Sequence, residues 1–182
     1  MTIRRLLVAN RGEIARRVFR TAKEMGIFTV AVYSEGDRDA PFVRDADLAV
    51  ALGGTSAADS YLDAAKVVEA AMSVGADAIH PGYGFLSENA AFADAVTAAG
   101  MTWVGPPSSA IAAMGDKLAA KRTMSDADVP TLPSVEIADS TDLSKIGREI
   151  GFPLLVKASA GGGGRGIRMV RHDDELEEAY DS

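Results

Sequence analysis

The sequence predicts an α/β protein with a doubly wound, mostly parallel sheet, followed by a smaller second unit. Short apolar runs alternate with helical segments up to about residue 115, which is the pattern of consecutive β-α-β units. The run at 27–33 is largely apolar and does not alternate, as expected for a parallel strand covered on both faces. Beyond Thr131 the composition changes, and a glycine-rich segment lies between two further apolar runs.

The first β-α-β unit begins with an apolar run at 3–9. The turn 10–12 breaks this run, and apolar residues then recur at helical spacing until Met25. Gly26 occupies the position that glycine favours after a helix, and the strand at 27–33 follows. Because the turn 10–12 contains a single glycine, we interpret it as a scaffold turn and not as a nucleotide-binding turn.

Three more strands complete the predicted first unit, at 48–52, 77–80 and 101–104. Ser60 is predicted to cap a helix at 62–74, whose inward side chains are Leu62, Ala65, Val68 (or Val67) and Met72. A second helix is predicted at 89–99, and an Ala-rich helix after Met-Gly-Asp-Lys at 114–117.

Residues 80–89 read His-Pro-Gly-Tyr-Gly-Phe-Leu-Ser-Glu-Asn and follow the strand at 77–80. Open α/β sheets bind ligands beyond the carboxyl ends of their strands, so this loop is expected to line a cleft. We interpret His80 as a hydrogen-bonded structural residue, because a histidine at a strand end is more often structural than catalytic.

Lys117 stands at a predicted helix start, where the helix dipole disfavours a cation. A bound phosphate would remove this conflict. The alternative is a solvated lysine, which costs only a few tenths of a kcal/mol.

The second unit is predicted to be incomplete. We divide the chain into a first domain at 1–114, a helical linker at 115–131 and a partial α+β unit at 132–182. The last part contains a helix that Ser140 or Thr141 caps, a glycine hairpin, and a final helix at 174–180 capped by Asp173. Such a layer cannot bury both its faces unaided.

The glycine hairpin spans 154–170, with its loop at 161–166. The loop fits G-x-G-x-x-G literally, but no helix follows it, and it lacks the Gly-Lys-Ser/Thr ending of a Walker loop. What remains is a flap between antiparallel strands that offers backbone N–H groups, Lys157 and Arg165 to a polyphosphate. A long flexible hairpin is the alternative.

Composition excludes several classes of function. The formal net charge of −7 argues against a nucleic-acid surface, and the chain has no cysteine for a disulfide or a thiolate metal site. The apolar run near the N-terminus is too short for a signal peptide or a membrane span. We therefore expect a cytoplasmic protein with no membrane partner.

Four motifs together resemble the biotin carboxylase component of biotin-dependent acyl-CoA carboxylases. They lie in the family's order at 8–15, 80–89, 114–117 and 157–166. The resemblance implies a Rossmann-like pre-ATP-grasp domain and the beginning of an ATP-grasp lid. It also implies that ATP with Mg activates bicarbonate as carboxyphosphate, and that biotin on a carrier domain accepts the carboxyl group.

The resemblance implies roles for eight residues. Lys117, Lys157, Gly163 and Gly164 match nucleotide contacts, and Tyr83 and Gly84 match the neighbourhood of the biotin and bicarbonate pocket. The family often forms a homodimer through its first helix, which makes Arg20 and Glu24 interface candidates; an ordinary solvated i, i+4 pair is the alternative.

The resemblance also implies what this chain lacks. The family's catalytic residues and metal ligands are expected beyond Ser182, so no catalytic or metal-binding residue is assigned here. This chain alone is expected to be inactive and to bind ATP weakly at most. The acyl-CoA substrate stays unassigned, because a carboxyltransferase subunit selects it. The alternatives are a non-catalytic dimerisation module and part of another ATP-grasp ligase.

Overall fold

The computed structural model describes residues 2–115, 117–135, 137, 142–157 and 166–180. The chain divides into two compact units, 1–116 and 117–182. The finer division at 114 and 131, with a helical linker between, stays a prediction.

The first unit is built on a five-stranded parallel sheet with the order β3-β2-β1-β4-β5. Its strands are β1 (Arg5–Val8), β2 (Phe28–Tyr33), β3 (Leu48–Ala51), β4 (Ala78–His80) and β5 (Thr102–Trp103). Leu7 of β1 pairs with Val30 of β2 on one side and with Ile79 of β4 on the other. The predicted doubly wound, parallel sheet is therefore confirmed.

Helices cover both faces of this sheet. The helices of the first unit are α1 (Gly12–Glu24), α2 (Pro41–Asp45), α3 (Ala64–Ser73), α4 (Ala90–Ala98) and α5 (Ser108–Gly115). Buried side chains of α1 and α2, such as Phe19 and Phe42, pack with Val8 and Ala31 of the sheet. Side chains of α3 and α4 pack with the opposite face, around Leu7.

The alternation of β1 explains this two-sided core. Leu7 points to α3 and α4, whereas Leu6 and Val8 belong to the two clusters that contain α1. All three side chains are at most 6% exposed. Burying a side chain of this size contributes roughly 1.5–3 kcal/mol relative to leaving it in water. A run that is apolar on both faces is therefore what holds this strand at the centre of the sheet.

Helix α1 ends as predicted. The backbone N–H of Gly26 donates to the carbonyl of Lys23 at 2.9 Å, and Gly26 itself has φ +72°. A residue with a Cβ is strained in this left-handed conformation, so glycine suits the position.

The predicted cap of α3 is wrong, and its predicted apolar face is confirmed only at Val67, which is buried, and Val68, which packs against the core. Asp63 caps the helix, because its Oδ1 accepts from the N–H of Lys66 at 3.1 Å. The hydroxyl of Ser60 instead donates to the carbonyl of Ser56 in the preceding turn. The later start leaves Leu62 outside the helix at 45% exposure, and Met72 lies beside the buried stripe at 61% exposure. The buried residues of α3 are Val67, Ala70 and Ala71.

The second unit contains a two-stranded antiparallel sheet and short helices. Its elements are α6 (Lys117–Asp126), α7 (Leu143–Ile150), β6 (Leu154–Lys157), β7 (Ile167–Val170) and α8 (Leu176–Tyr180). The predicted strand pair of the glycine hairpin is confirmed, because Leu154 pairs with Val170 and Lys157 with Ile167. Residues 134, 135 and 137 belong to no strand.

The predicted helix caps of this unit need correction. Asp142 caps α7, because its Oδ1 accepts from the N–H of Lys145 at 3.0 Å. The predicted caps Ser140 and Thr141 lie outside the described residues. At the last helix, Asp173 opens a 3₁₀ turn and does not cap it. The carboxylate of Glu175 instead reaches back to the N–H of Arg171 at 2.8 Å.

None of the helices in the described part of the chain combines the length and the apolar character that crossing a membrane requires.

Candidate functional site

The candidate site lies where the direction of strand addition reverses in the sheet. From β1 the chain adds β2 and β3 on one side, and it then returns to add β4 and β5 on the other. The carboxyl ends of β1 and β4 therefore stand side by side, and the turns that leave them diverge. Open α/β sheets form their ligand-binding crevice at this point.

Asn10 joins the turn after β1 to the loop after β4. Its side chain is buried, and Nδ2 donates to the carbonyl of Pro81 at 2.8 Å and to that of Tyr83 at 2.7 Å. Its Oδ1 accepts from the N–H of Arg11 at 2.9 Å. One amide side chain thus satisfies three backbone groups and fixes the path of the loop at 81–84.

Two glycines give the loop its shape. Gly82 has φ +66°, and a Cβ at this position would lie 2.7 Å from Asn10 Nδ2. Gly84 has φ +65°, but a Cβ there would meet nothing within 4 Å. The backbone conformation favours glycine at both positions. Only at Gly82 does a neighbouring side chain, that of Asn10, also leave no space for a Cβ.

Tyr83 lies between these glycines with its side chain largely in solvent, at 59% exposure. Its hydroxyl donates to the carboxylate of Glu13, in the first turn of α1. This hydrogen bond raises the pKa of Tyr83, and the positive charge of Arg17 acts in the opposite direction. The phenol therefore stays protonated and remains a hydrogen-bond donor at neutral pH.

His80 ends β4 and is half-buried. Its Nδ1 accepts from the N–H of Gly82 at 2.9 Å, and burial lowers the pKa of the imidazole. A neutral ring with Nδ1 as acceptor is the form that this hydrogen bond requires. The contact supports the interpretation of His80 as a structural residue of the loop.

Asp37 organises a polar network beside the loop. Its Oδ1 lies 2.9 Å from Arg11 Nη2, and its Oδ2 accepts from the hydroxyls of Tyr61 at 2.7 Å and Ser34 at 3.3 Å. Burial, together with the hydrogen bond to Asp37, raises the pKa of Tyr61 to about 12. The ring of Tyr61 also stacks on Phe85, with 5.2 Å between centroids. The loop is thus held by Asn10 and packed by Tyr61.

In the second unit, Lys157 ends β6 with an exposed side chain and pairs with Ile167 of β7. The loop between these strands, including Gly163 and Gly164, lies outside the described residues. So does the side chain of Lys117, whose backbone begins α6.

Residues 2–111 match the family model described as biotin carboxylase, N-terminal domain. The chain belongs to the biotin carboxylase family. Residues 116–182 match a second model, the ATP binding domain of the carbamoyl-phosphate synthase L chain. The resemblance inferred from the four motifs is therefore confirmed.

Relatives within the biotin carboxylase family are longer than this chain. It is 49% identical over 180 residues to the biotin carboxylase of Haemophilus influenzae, covering 97% of this chain and 40% of that protein. It is 49% identical, again over 180 residues, to the propionyl-CoA carboxylase alpha chain of Ruegeria pomeroyi, covering 98% of this chain and 26% of that protein.

Solved biotin carboxylases have the same fold. The enzyme of Campylobacter jejuni, in a complex with a β,γ-ATP compound, superposes with a TM-score of 0.89 at 44% identity, covering 98% of this chain and 41% of that one. The biotin carboxylase domain dimer of Hydrogenobacter thermophilus 2-oxoglutarate carboxylase, with MgADP, ADP and bicarbonate, gives 0.87 at 48% identity, covering 100% of this chain and 41% of that one.

The roles that the biotin carboxylase family implies for single residues stay predictions. Tyr83 and Gly84 lie together at the crevice, as their sequence separation requires. Arg20 and Glu24 are exposed on α1, and among the ion pairs of the described residues neither one takes part.

Magnesium has no assigned ligands in this chain. Among the residues that the structure describes, no group of three or more His, Asp or Glu side chains has a geometry that fits a metal ion.

The motif at 8–15 contains Asn10 and Glu13, but the sequence predicted no role in this site for them, nor for Asp37 or Tyr61. Asn10 directly follows the central buried strand, and polar residues at that edge were the available signal. Asp37 and Tyr61 gave no such signal, because their pairing depends on a contact across 24 residues.

Proposed function

We propose that this chain is the N-terminal part of an ATP-dependent biotin carboxylase. The observation that carries the proposal is the order of two matches in one chain: a biotin carboxylase N-terminal domain at 2–111 and an ATP binding domain at 116–182. The whole protein would use MgATP and bicarbonate to carboxylate biotin on a carrier domain. Supporting this, the names of two solved relatives include an ATP compound, MgADP and bicarbonate.

In this reaction a bicarbonate oxygen attacks the γ-phosphorus of ATP, and ADP leaves. The product, carboxyphosphate, gives its carboxyl group to the ureido nitrogen of biotin, and phosphate leaves. Lys117 and Lys157 are assigned to the phosphates of ATP, since cations stabilise the charge of a transferring phosphoryl group. Gly163 and Gly164 are assigned to the flap above them, where backbone N–H groups can face phosphate oxygens.

Tyr83 and Gly84 are assigned to the pocket for biotin and bicarbonate. They lie at the crevice of a parallel sheet, where a ligand can approach the backbone closely beside Gly84. The open space at Gly84 and the exposed phenol of Tyr83 are the features that favour this assignment.

The proposed partners are a biotin carboxyl carrier domain, a carboxyltransferase subunit and a second copy of the chain. The name of the Ruegeria relative supports an acyl-CoA carboxylase, and that of the Hydrogenobacter domain supports a homodimer. A cytoplasmic location belongs to the same proposal. The acyl-CoA substrate stays unassigned.

The test uses the protein encoded by the complete reading frame that contains these residues. We expect ADP release that requires both bicarbonate and biotin. ADP release that is unchanged when biotin is left out contradicts the proposal. For residues 1–182 alone we expect no micromolar binding of MgATP in isothermal titration calorimetry, and such binding would show that the nucleotide site needs no further residues.

A second candidate is a non-catalytic module that dimerises through α1. It is favoured by one observation: Arg20 and Glu24 are exposed on one face of α1, one turn apart. Size-exclusion chromatography of residues 1–182 mixed with the longer protein tests it. The module is supported if the mixed species is lost when residues 1–182 carry Arg20→Glu, and if it is regained when the longer protein carries Glu24→Arg. Separate elution of the two proteins contradicts it.

A further inference from the structure

We propose that Glu13 is a positioning residue for Tyr83, and that it holds the phenol in the orientation in which residues 83 and 84 receive biotin. This inference rests on the proposed function, because that function brings biotin to this loop. The inference goes beyond the proposed function because it adds a residue of α1 to the biotin site.

The backbone of the loop is fixed without Glu13. Asn10 binds the carbonyls on both sides of Gly82, and Gly82 itself fits closely against the Asn10 side chain. The Tyr83 side chain is different, because Tyr83 is 59% exposed. Among the hydrogen bonds of the described residues, the one to Glu13 is the only bond of the Tyr83 side chain. The ring orientation therefore depends on that carboxylate.

Glu13 is well suited to this role. It lies in the first turn of α1, where a negative charge is favoured by the helix dipole. The helix itself is anchored to the sheet by Ala15 and Phe19, both buried. The hydrogen bond thus joins the exposed side chain of Tyr83 to the rigid helix α1.

The charges around the phenol agree with this geometry. The hydrogen bond to Glu13 raises the pKa of Tyr83, while Arg17, one turn along α1, opposes this effect. No other titratable group acts on the Tyr83 hydroxyl in the described part of the chain. The hydroxyl therefore keeps its proton, and Tyr83 keeps donating to Glu13, through the neutral pH range.

Ordering an exposed side chain on binding costs conformational entropy, and a side chain that is already ordered in the free protein avoids this cost. The ordering of one such side chain corresponds to a change in affinity on the order of three- to tenfold. We therefore expect the loss of Glu13 to weaken biotin binding by about this factor, while the chemical steps at ATP remain unaffected.

The test measures bicarbonate-dependent ADP release by the whole protein with free biotin as substrate, for Glu13→Ala, Glu13→Gln, Tyr83→Phe and the control Glu69→Ala. Glu69 is an exposed carboxylate on α3. We expect Glu13→Ala and Tyr83→Phe each to raise KM for biotin about three- to tenfold, with kcat and KM for ATP within about twofold. Glu13→Gln should stay near the wild type, because its amide oxygen still accepts from the phenol.

Combining Glu13→Ala with Tyr83→Phe should raise KM for biotin no further than either change alone, because both remove the same bond. The inference is overturned if Glu13→Ala matches the Glu69→Ala control, or if the effects of the two changes multiply. If the wild type shows no biotin-dependent turnover, the proposed function fails first. A separate ultraviolet titration of tyrosine then still tests the contact: removing Glu13 should lower the pKa of Tyr83, and an unchanged titration overturns the contact itself.

Discussion

Asp37 accepts hydrogen bonds from residues of three separate turns. Ser34 lies in the same turn, Arg11 follows β1, and Tyr61 precedes α3. A buried carboxylate is stabilised when it accepts three hydrogen bonds. If the carboxylate is removed, the donors lose their acceptor and the folded state is destabilised. The network therefore ties the candidate site to the sheet at the level of single side chains.

Replacing Asp37 with alanine is expected to lower the free energy of unfolding by about 2–3 kcal/mol, because the buried hydroxyl of Tyr61 and the guanidinium of Arg11 lose their partner. Glu35→Ala is the control, since Glu35 pairs with Arg38 at the surface. It should change the free energy by less than about 0.5–1 kcal/mol. Urea denaturation measures both variants, and equal effects would contradict the account of the network.

His80 predicts a specific response to pH. Burial lowers its pKa in the folded state below the unfolded value of 6.5. The unfolded chain therefore binds more protons as the pH falls, so the stabilisation is complete above pH 6.5 and is lost as the pH falls through the folded pKa. The wild type should lose more unfolding free energy between pH 7 and pH 5 than His80→Asn, whose amide oxygen can replace Nδ1 as acceptor. Parallel pH profiles of the two proteins would contradict this.

At the scale of elements, the site depends on the register between β1 and β4. Val8 pairs with His80, which aligns the turn after β1 with the loop after β4 and brings Asn10 to Pro81 and Tyr83. The parallel sheet supplies the alignment, and the two glycines supply the curvature of the loop.

Gly82→Ala and Gly84→Ala form a matched pair in this loop. Both glycines have nearly equal positive φ, so each change costs about 1–2 kcal/mol from the backbone alone. Only Gly82→Ala also forces the Asn10 amide away from the carbonyls it binds. We expect it to cost at least about 1 kcal/mol more than Gly84→Ala. Urea midpoints of the two variants measure the difference, and equal midpoints would show that Asn10 does not close this position.

How far the sequence predicts these elements depends on the range of the contacts that define them. The end of α1 at Gly26 could be predicted, because it is set by one residue and its immediate neighbours. The cap of α3 could not be predicted as reliably, since Ser60 and Asp63 are both good capping residues and only the turn at 56–60 decides between them. Asn10 and Tyr83 are 73 residues apart, and their contact follows only from the strand order.

At the scale of the whole molecule, the two units differ in how much apolar surface they bury. Of the buried hydrophobic side chains in the described residues, all but Ile146, Val170 and Leu176 belong to the first unit. In the second unit, the paired residues Leu155 and Met169 are 61% and 58% exposed. This exposure agrees with the expectation that a single layer of helices and a hairpin cannot bury both its faces unaided.

Residues 1–116 are therefore expected to fold without the second unit. We predict a cooperative urea transition for this segment, with a midpoint close to that of the main transition of residues 1–182, because its core is contained within it. Circular dichroism follows both transitions. A segment 1–116 without a cooperative transition would show that contacts from the second unit complete the core.

The central claim is that the whole protein transfers a carboxyl group from bicarbonate to biotin at the expense of ATP. The most direct measurement supplies labelled bicarbonate, ATP and biotin to the protein from the complete reading frame and follows labelled carboxybiotin together with ADP. We predict a molar ratio of labelled carboxybiotin to ADP of about one, or less than one if part of the carboxyphosphate hydrolyses. ADP release that depends on ammonia or glutamine, with no label on biotin, would contradict the claim and assign the chain to another ATP-dependent ligase.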